Sequence, residues 1–438
     1  MIAALIAVPL ASCQDAEPEG AAQREAAPFE RWCEDLGPLA TVCSQYKPSA
    51  NWYLPARIDS VRLDEPLWAR DFQQMGQLSL VAGNRTVFIA TSTGYLGALD
   101  AATGETRWEA IQESFTKRGP EAPVFRELVL TPYSLITGSV IGSRSEIRFY
   151  SPATGELQRR HLLPHFQLDA LLPTESGEVL AVAVLGDIRA FDTATGELVR
   201  SEKQLTVLLA AVLAGDRLLL CGRERAVFSL EVENLKLDSL RMLRELAPWM
   251  AYADGGSTLN LVCQTVSGDR HLLMGLDAAS LETVWQSEPL EAMVAMLPAS
   301  IGGKVYYPDT EGAVHCYDPV ENAVRWTHRT YARCYVFFTC ENAVVVIANY
   351  SSTDAQQGSD GGQTRRAPPW YEPGYSQYYR FLLLDPEDGS VRYGHDAPGE
   401  FLARTFTESG IVLREGENGP LVCYPADIVI PEANGAGQ

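Results

Sequence analysis

An eleven-residue pattern recurs along this chain and restricts its fold more than any other feature. Residues 98–108 read Ala-Leu-Asp-Ala-Ala-Thr-Gly-Glu-Thr-Arg-Trp, and residues 190–200 read Ala-Phe-Asp-Thr-Ala-Thr-Gly-Glu-Leu-Val-Arg. Partial copies keep the same register. Phe149-Tyr-Ser151 leads to Gly155, Gly275-Leu-Asp277 to Trp285, Cys316-Tyr-Asp318 to Trp326, and Leu383-Leu-Asp385 to Gly389 and Tyr393. Ser229-Leu-Glu231 is a degenerate copy. Anchors at positions 100, 151, 192, 231, 277, 318 and 385 are separated by 51, 41, 39, 46, 41 and 67 residues. That is close to the period of a four-stranded propeller blade. An eighth, eroded copy at Leu421-Val-Cys-Tyr-Pro425 lacks its following strand, while Glu65-Pro-Leu-Trp68 supplies an orphan strand at the other end. Pairing the two closes the ring and leaves no exposed edge. The expectation is an all-β, eight-bladed propeller of four-stranded antiparallel blades over residues 63–425, closed by an N-terminal strand.

The pattern suits a hairpin joining the two outer strands of a blade. Apolar residues such as Leu99, Phe191 and Leu276 continue a buried strand up to the anchor. The anchor carboxylates of Asp100, Asp192, Asp277, Asp318 and Asp385 can accept turn N–H groups. Gly104, Gly155, Gly196 and Gly389 permit a positive φ before the chain returns. Trp108, Trp285 and Trp326, eight residues past their anchors, offer large apolar surfaces for packing between blades, as does Trp68. A calcium loop is the functional alternative, but the alternating acids and terminal Glu of an EF-hand loop are missing.

The A-x-D-x-x-T-G-x-x-x-W pattern resembles the PQQ-type β-propeller repeat with its tryptophan-docking positions. The resemblance implies one of two groups in an exported compartment. Quinoprotein dehydrogenases bind pyrroloquinoline quinone and calcium in an eight-bladed funnel. The B-subunit lipoprotein of the outer-membrane β-barrel assembly machinery is a non-catalytic propeller. The dehydrogenases typically carry an adjacent-cysteine disulfide, and no Cys-Cys occurs here; nor does Cys-x-x-Cys-His for haem. The expectation is therefore a protein-binding scaffold with no catalytic residues, metal or cofactor. The alternatives are a PQQ-dependent dehydrogenase, or a propeller binding a small ligand or polysaccharide.

Other chemistry is thinly supported. The chain has 438 residues, 35 basic and 56 acidic side chains, and a net charge of −21. That balance excludes a nucleic-acid partner, which demands clustered Lys and Arg. His161 and His165 are separated by Pro164, which prevents a helix from aligning them. Gly-x-Ser-x-Gly is absent. Cys221 and Cys263 lie in apolar runs and read as core residues.

The N-terminus points to export. Ile2–Leu10 is a short apolar run followed by Ala11-Ser12-Cys13. It is too short to span a bilayer and suits a signal segment over residues 1–12. The junction resembles the lipobox of bacterial lipoproteins, which implies lipidation at Cys13 and a cell-envelope location, in the outer membrane by the enteric sorting rule. No Lys or Arg precedes the run, a departure from the usual signal. Residues 13–62 read as a tether and N-terminal segment; Gln14–Glu30 carries four more acids than bases and no apolar periodicity. Cys33 and Cys43 flank a short Gly-Pro loop and are a candidate disulfide, and most of the other six are expected as buried unpaired thiols. Residues 426–438 read as a C-terminal tail.

The spacing of 67 betrays an insertion at residues 351–379 between the second and third strands of blade seven. Its second half carries Arg365, Arg366, Trp370, Tyr371, Tyr375, Tyr378 and Tyr379. Aromatics with Arg are frequent interface anchors; packing of these rings on their own blade is the structural alternative. This face, shared with the link 111–123, is the expected site for a protein partner in the cell envelope.

Overall fold

Short apolar runs punctuated by turn residues build strands throughout. The computed structural model describes residues 28–32, 53–54, 56–72, 78–83, 85–111, 124–204, 206–253, 257–265, 267–268, 270–351, 368–370, 375–399, 401–416 and 419–429. Among them are thirty-four strands and no helix, arranged as eight sheets whose blade strands run antiparallel; the short strand Tyr53–Leu54 adds to blade seven in parallel, beside Thr339 and Cys340. Blades one to seven occupy residues 78–111, 124–163, 168–203, 208–242, 246–286, 299–329 and 333–398. Blade eight combines residues 401–429 with an N-terminal strand, so the ring is closed by strand pairing.

Burial within a blade follows from its neighbours. A second strand such as Thr86–Thr91 is buried along its whole length because another blade covers each face. Fourth strands such as Leu157–Leu163 and Leu237–Met242 are largely exposed. The first strands form the inner ring, where those of blades one and two, two and three, four and five, and eight and one lie against each other. The large apolar clusters span two or more adjacent blades, so no blade holds a complete core by itself.

The closure is more extensive than residues 63–425. Trp68–Arg70 pairs with residues 421–423, and Arg57–Val61 pairs with residues 426–429 further along the same strand. Residues 426–429, expected as tail, are therefore sheet. The incoming strand is also clasped by blade seven: Asn342 accepts from Ile58 N–H (3.0 Å) and donates to Ile58 C=O (3.2 Å). One side-chain amide thus satisfies both backbone groups of an outer-strand residue.

The assumed tether also begins to pack earlier than its composition suggests. Phe29 N–H donates to Ala194 O (2.5 Å), and Trp32 N–H to Pro132 O (2.8 Å). Phe29 joins the apolar layer between blades two and three, and Trp32 meets Phe88 edge-on at 5.3 Å. Two aromatic rings outweigh the polar composition around them, so residues 28–32 belong to the folded body.

Candidate binding faces of the ring

The repeat residues form turns and inter-blade joints. Asp100 Oδ1 accepts from Ala102 N and Thr103 N (both 3.0 Å), and Asp192, Asp277 and Asp318 repeat this pairing. Asp385 accepts from Glu387 N. The carboxyls of Asp277 and Asp318 are held below the usual range by these N–H donors. Their Oδ1 atoms are occupied by these turn N–H groups, and no group of three or more His, Cys, Asp or Glu suited to a metal occurs among the described residues.

At six of the seven anchors the carbonyl one residue further on is gripped by the preceding blade. Ala101 O accepts from Trp68 Nε1 (2.8 Å), Pro152 O from Trp108 Nε1 (2.8 Å), and Pro386 O from Trp326 Nε1 (3.0 Å). Where tryptophan is missing, other donors reach the equivalent atom: Ser134 Oγ to Thr193 O (3.0 Å), Arg200 to Val232 O (2.7 Å), and Ser229 Oγ to Ala278 O (2.6 Å). Each docked indole lies on the glycine four residues past the next anchor. A Cβ on Gly104, Gly155 or Gly389 would come within 2.6, 2.4 or 2.6 Å of the Trp68, Trp108 or Trp326 ring. Glycine therefore supplies space as well as its left-handed φ of 71°, 72° and 71°.

Blades four and five invert this arrangement. Leu235 and Leu281 take the glycine position at φ of 56° and 58°, and both are buried. Each joins the apolar core shared with the preceding blade. At Gly196 the facing residue is Arg159, and Phe29 from the N-terminal segment supplies the ring. Trp285 departs from the expected docking; it covers Gly275 of its own blade and lies 5.6 Å from Tyr317.

Each blade has two turn faces. First-to-second and third-to-fourth strand turns share one face, where Phe29 and Trp32 bind. Second-to-third turns and the links between blades share the other, where the strands Ala343–Ser351 and Gln377–Leu384 that flank the insertion meet. Cys13, Cys33, Cys43, Arg365, Arg366, Tyr371 and the link 112–123 lie outside the described residues. Trp370 donates Nε1–H to Thr330 O (2.9 Å), and Arg380 lies over its ring at 5.0 Å. Tyr378 and Tyr379 are buried in blade seven, whereas Tyr375 is 44% exposed. Of the described aromatics in the insertion, Tyr375 is the one that presents its ring to solvent.

Sequence reading missed the inner mouth of this face. In blades three, four, five and seven the first strand carries a bulge near its start, at Asp169, Leu209, Trp249 and Tyr335. A bulge inserts an unpaired residue and re-aims it. Trp249 is 54% and Tyr335 39% exposed, with Arg333 over the Tyr335 ring at 5.8 Å. The signal was present in sequence as a large aromatic interrupting a first strand. Without the register it was indistinguishable from core.

The remaining reactive side chains serve packing. The six described cysteines are unpaired and buried. Burial pushes Cys263, Cys334 and Cys423 up to about 12 and Cys316 to about 11, leaving them as inert thiols. His161 contacts Gly196 O at 2.6 Å and lies 4.8 Å from Phe191, in the joint between blades two and three.

No family model matches the sequence, and no curated protein does. Solved structures do match in shape. BamB from Moraxella catarrhalis superposes with a TM-score of 0.53 at 13% identity, covering 82% of this chain and 97% of that one. The computationally designed Ika8 protein gives 0.55 at 13% identity, covering 81% and 98%. The C-terminal WD40 domain of Sif2 gives 0.54 at 9%, covering 85% and 100%. The chain is an eight-bladed β-propeller. At these identities the likeness is one of fold, in keeping with the resemblance read from the repeats.

Proposed function

We propose that this propeller is an exported, lipid-anchored scaffold of the bacterial cell envelope that binds a protein partner and performs no catalysis. The observation that carries this reading is the pair of exposed rings Trp249 and Tyr335 at the channel mouth, on the face that bears the insertion. Exposed aromatics beside Arg333 have the chemistry of an interface hot spot. Two further features support it: the Leu10-Ala-Ser-Cys13 junction for anchoring, and the shared fold with BamB for envelope assembly. The test is affinity purification of the intact protein from its membrane, comparing the native chain with Trp249→Ala/Tyr335→Ala and with a deletion of residues 352–374. Loss of the same partner in both variants is expected. An unchanged partner set refutes the assignment of the face, and turnover of an alcohol or sugar after adding the quinone and calcium refutes the scaffold reading.

A further inference from the structure

The fourth strand of blade five, Thr283–Gln286, has four residues, whereas that of blade six, Ala323–Arg329, has seven. The chain leaves at Ser287, whose hydroxyl accepts from Leu273 N (2.9 Å), and blade six resumes only with the three-residue strand Ala299–Ile301. The blade-six face that a longer strand would cover is left open as a cavity of about 830 Å³. That volume lies within the ~300–1,000 Å³ typical of ligand sites.

The floor is a cross-strand row, Tyr307–His315–Thr327. His315 stacks on Tyr307 at 4.8 Å and is fixed at both ring nitrogens, with Nε2 2.9 Å from Asp309 Oδ2 and Nδ1 3.0 Å from Thr327 Oγ1. The other oxygen of Asp309 accepts from Glu311 N and Ala313 N. Burial works against the Asp309 charge, yet His315 and these N–H groups hold its carboxyl below the usual range. The floor is therefore rigid and carries a fixed negative charge.

Two observations point to an occupant. Tyr307 is only 3% exposed, yet its hydroxyl has no hydrogen-bond partner among the described residues and the residue lines the cavity. The hydroxyl oxygen is not itself among the buried unpartnered atoms, so on this otherwise buried residue it stays available to a polar group bound in the cavity. The walls add Glu288, Glu291 and Glu311, all exposed and in no ion pair among the described residues, against one cation, Arg329. Burial first, and then the charges of Asp309 and Glu291, push the Tyr307 hydroxyl up, which places those carboxylates in electrostatic reach of the ring.

We infer that this groove between blades five and six binds a cationic nitrogen group, an ammonium or guanidinium, that donates to Tyr307 and the Glu288 and Glu291 carboxylates. A neutral ligand leaves the excess charge uncompensated, and an anion meets net repulsion. The inference stands apart from the scaffold reading, because it concerns the flank of the ring and none of residues 352–374.

The test is calorimetric titration of the full chain with three probes: a hexa-arginine peptide, spermidine and a neutral maltohexaose. Binding of the peptide or the amine is expected, weakening several-fold as salt rises to about 0.3 M. Peptide binding alone assigns the group to a protein partner; binding of both admits free polyamines. Glu288→Gln/Glu291→Gln is expected to weaken binding about tenfold, and Tyr307→Phe, which removes only the hydroxyl, about threefold to tenfold. The remote variant Glu156→Gln should leave affinity unchanged. No binding, groove variants that match Glu156→Gln, or salt-independent binding of the saccharide alone would each overturn the assignment.

Discussion

Replacing Gly155 with alanine tests whether inter-blade docking holds this ring together. Two costs arise at once. Alanine at φ 72° costs about 1 kcal/mol, as for any left-handed L-residue. Its Cβ would also lie 2.4 Å from the Trp108 ring, about 1 Å inside ordinary contact distance. The indole must retreat by that much, breaking its 2.8 Å bond to Pro152 O, worth about 1 kcal/mol, and losing part of its packing, worth another 1–2 kcal/mol. The total is about 3–4 kcal/mol. Gly142 is the control, because it has φ 61° with nothing within 4 Å of its added Cβ; alanine there should cost only the conformational ~1 kcal/mol. In a Trp108→Ala background the clash disappears, and Gly155→Ala should also fall to about 1 kcal/mol, a coupling of about 2–3 kcal/mol. Guanidinium denaturation followed by circular dichroism measures all four variants. If Gly155→Ala and Gly142→Ala cost the same, or if the Gly155 and Trp108 changes simply add, the docking argument is wrong.

Three further outcomes follow from the packing. Phe29→Ala and Trp32→Ala should each lower stability by about 1–3 kcal/mol and raise hydrogen exchange in blades one to three; unaltered exchange would show that the N-terminal segment does not dock. Burial depresses His161, His271 and His328, so the unfolded chain binds more protons than the native one just below the ordinary histidine value. The stability these neutral rings permit is complete above about pH 6.5 and declines as pH falls from there, which a flat denaturation midpoint between about pH 7 and 5 would contradict. The six described thiols should resist iodoacetamide in the native protein and react fully after denaturation, as followed by mass spectrometry; rapid native labelling at Cys316 or Cys263 would contradict their burial.

The sequence made the ring legible because its period is carried by residues with a local duty. Asp100 and Gly104 shape a turn within a few residues of themselves, so their spacing reports blade number without knowledge of any partner. Joints between blades were harder to read. Trp108 and Gly155 announce each other by type, but Arg200 reaching Val232 O shares no composition with tryptophan, and Leu235 in a left-handed turn breaks the expected preference for glycine. Phe29 filling the space at Gly196 involves residues more than 160 positions apart, joined only by the folded ring. The groove of blade five was hidden for a different reason. It arises from three missing strand residues, and an absence leaves no motif.

The docking of Phe29 and Trp32 sets the direction in which the ring looks. Only fourteen residues lie between Cys13 and Pro28. They span about 50 Å when taut and about 20 Å as a relaxed coil. If Cys13 carries the proposed lipid, this line would be made fast to the turn face of blades two and three, off the central axis. On that proposal this side of the disc would be drawn toward the bilayer, and Trp249 and Tyr335 would open toward the aqueous compartment. A partner arriving from solution would find the mouth unobstructed, and one embedded in the same membrane would have to rise over the rim to reach it.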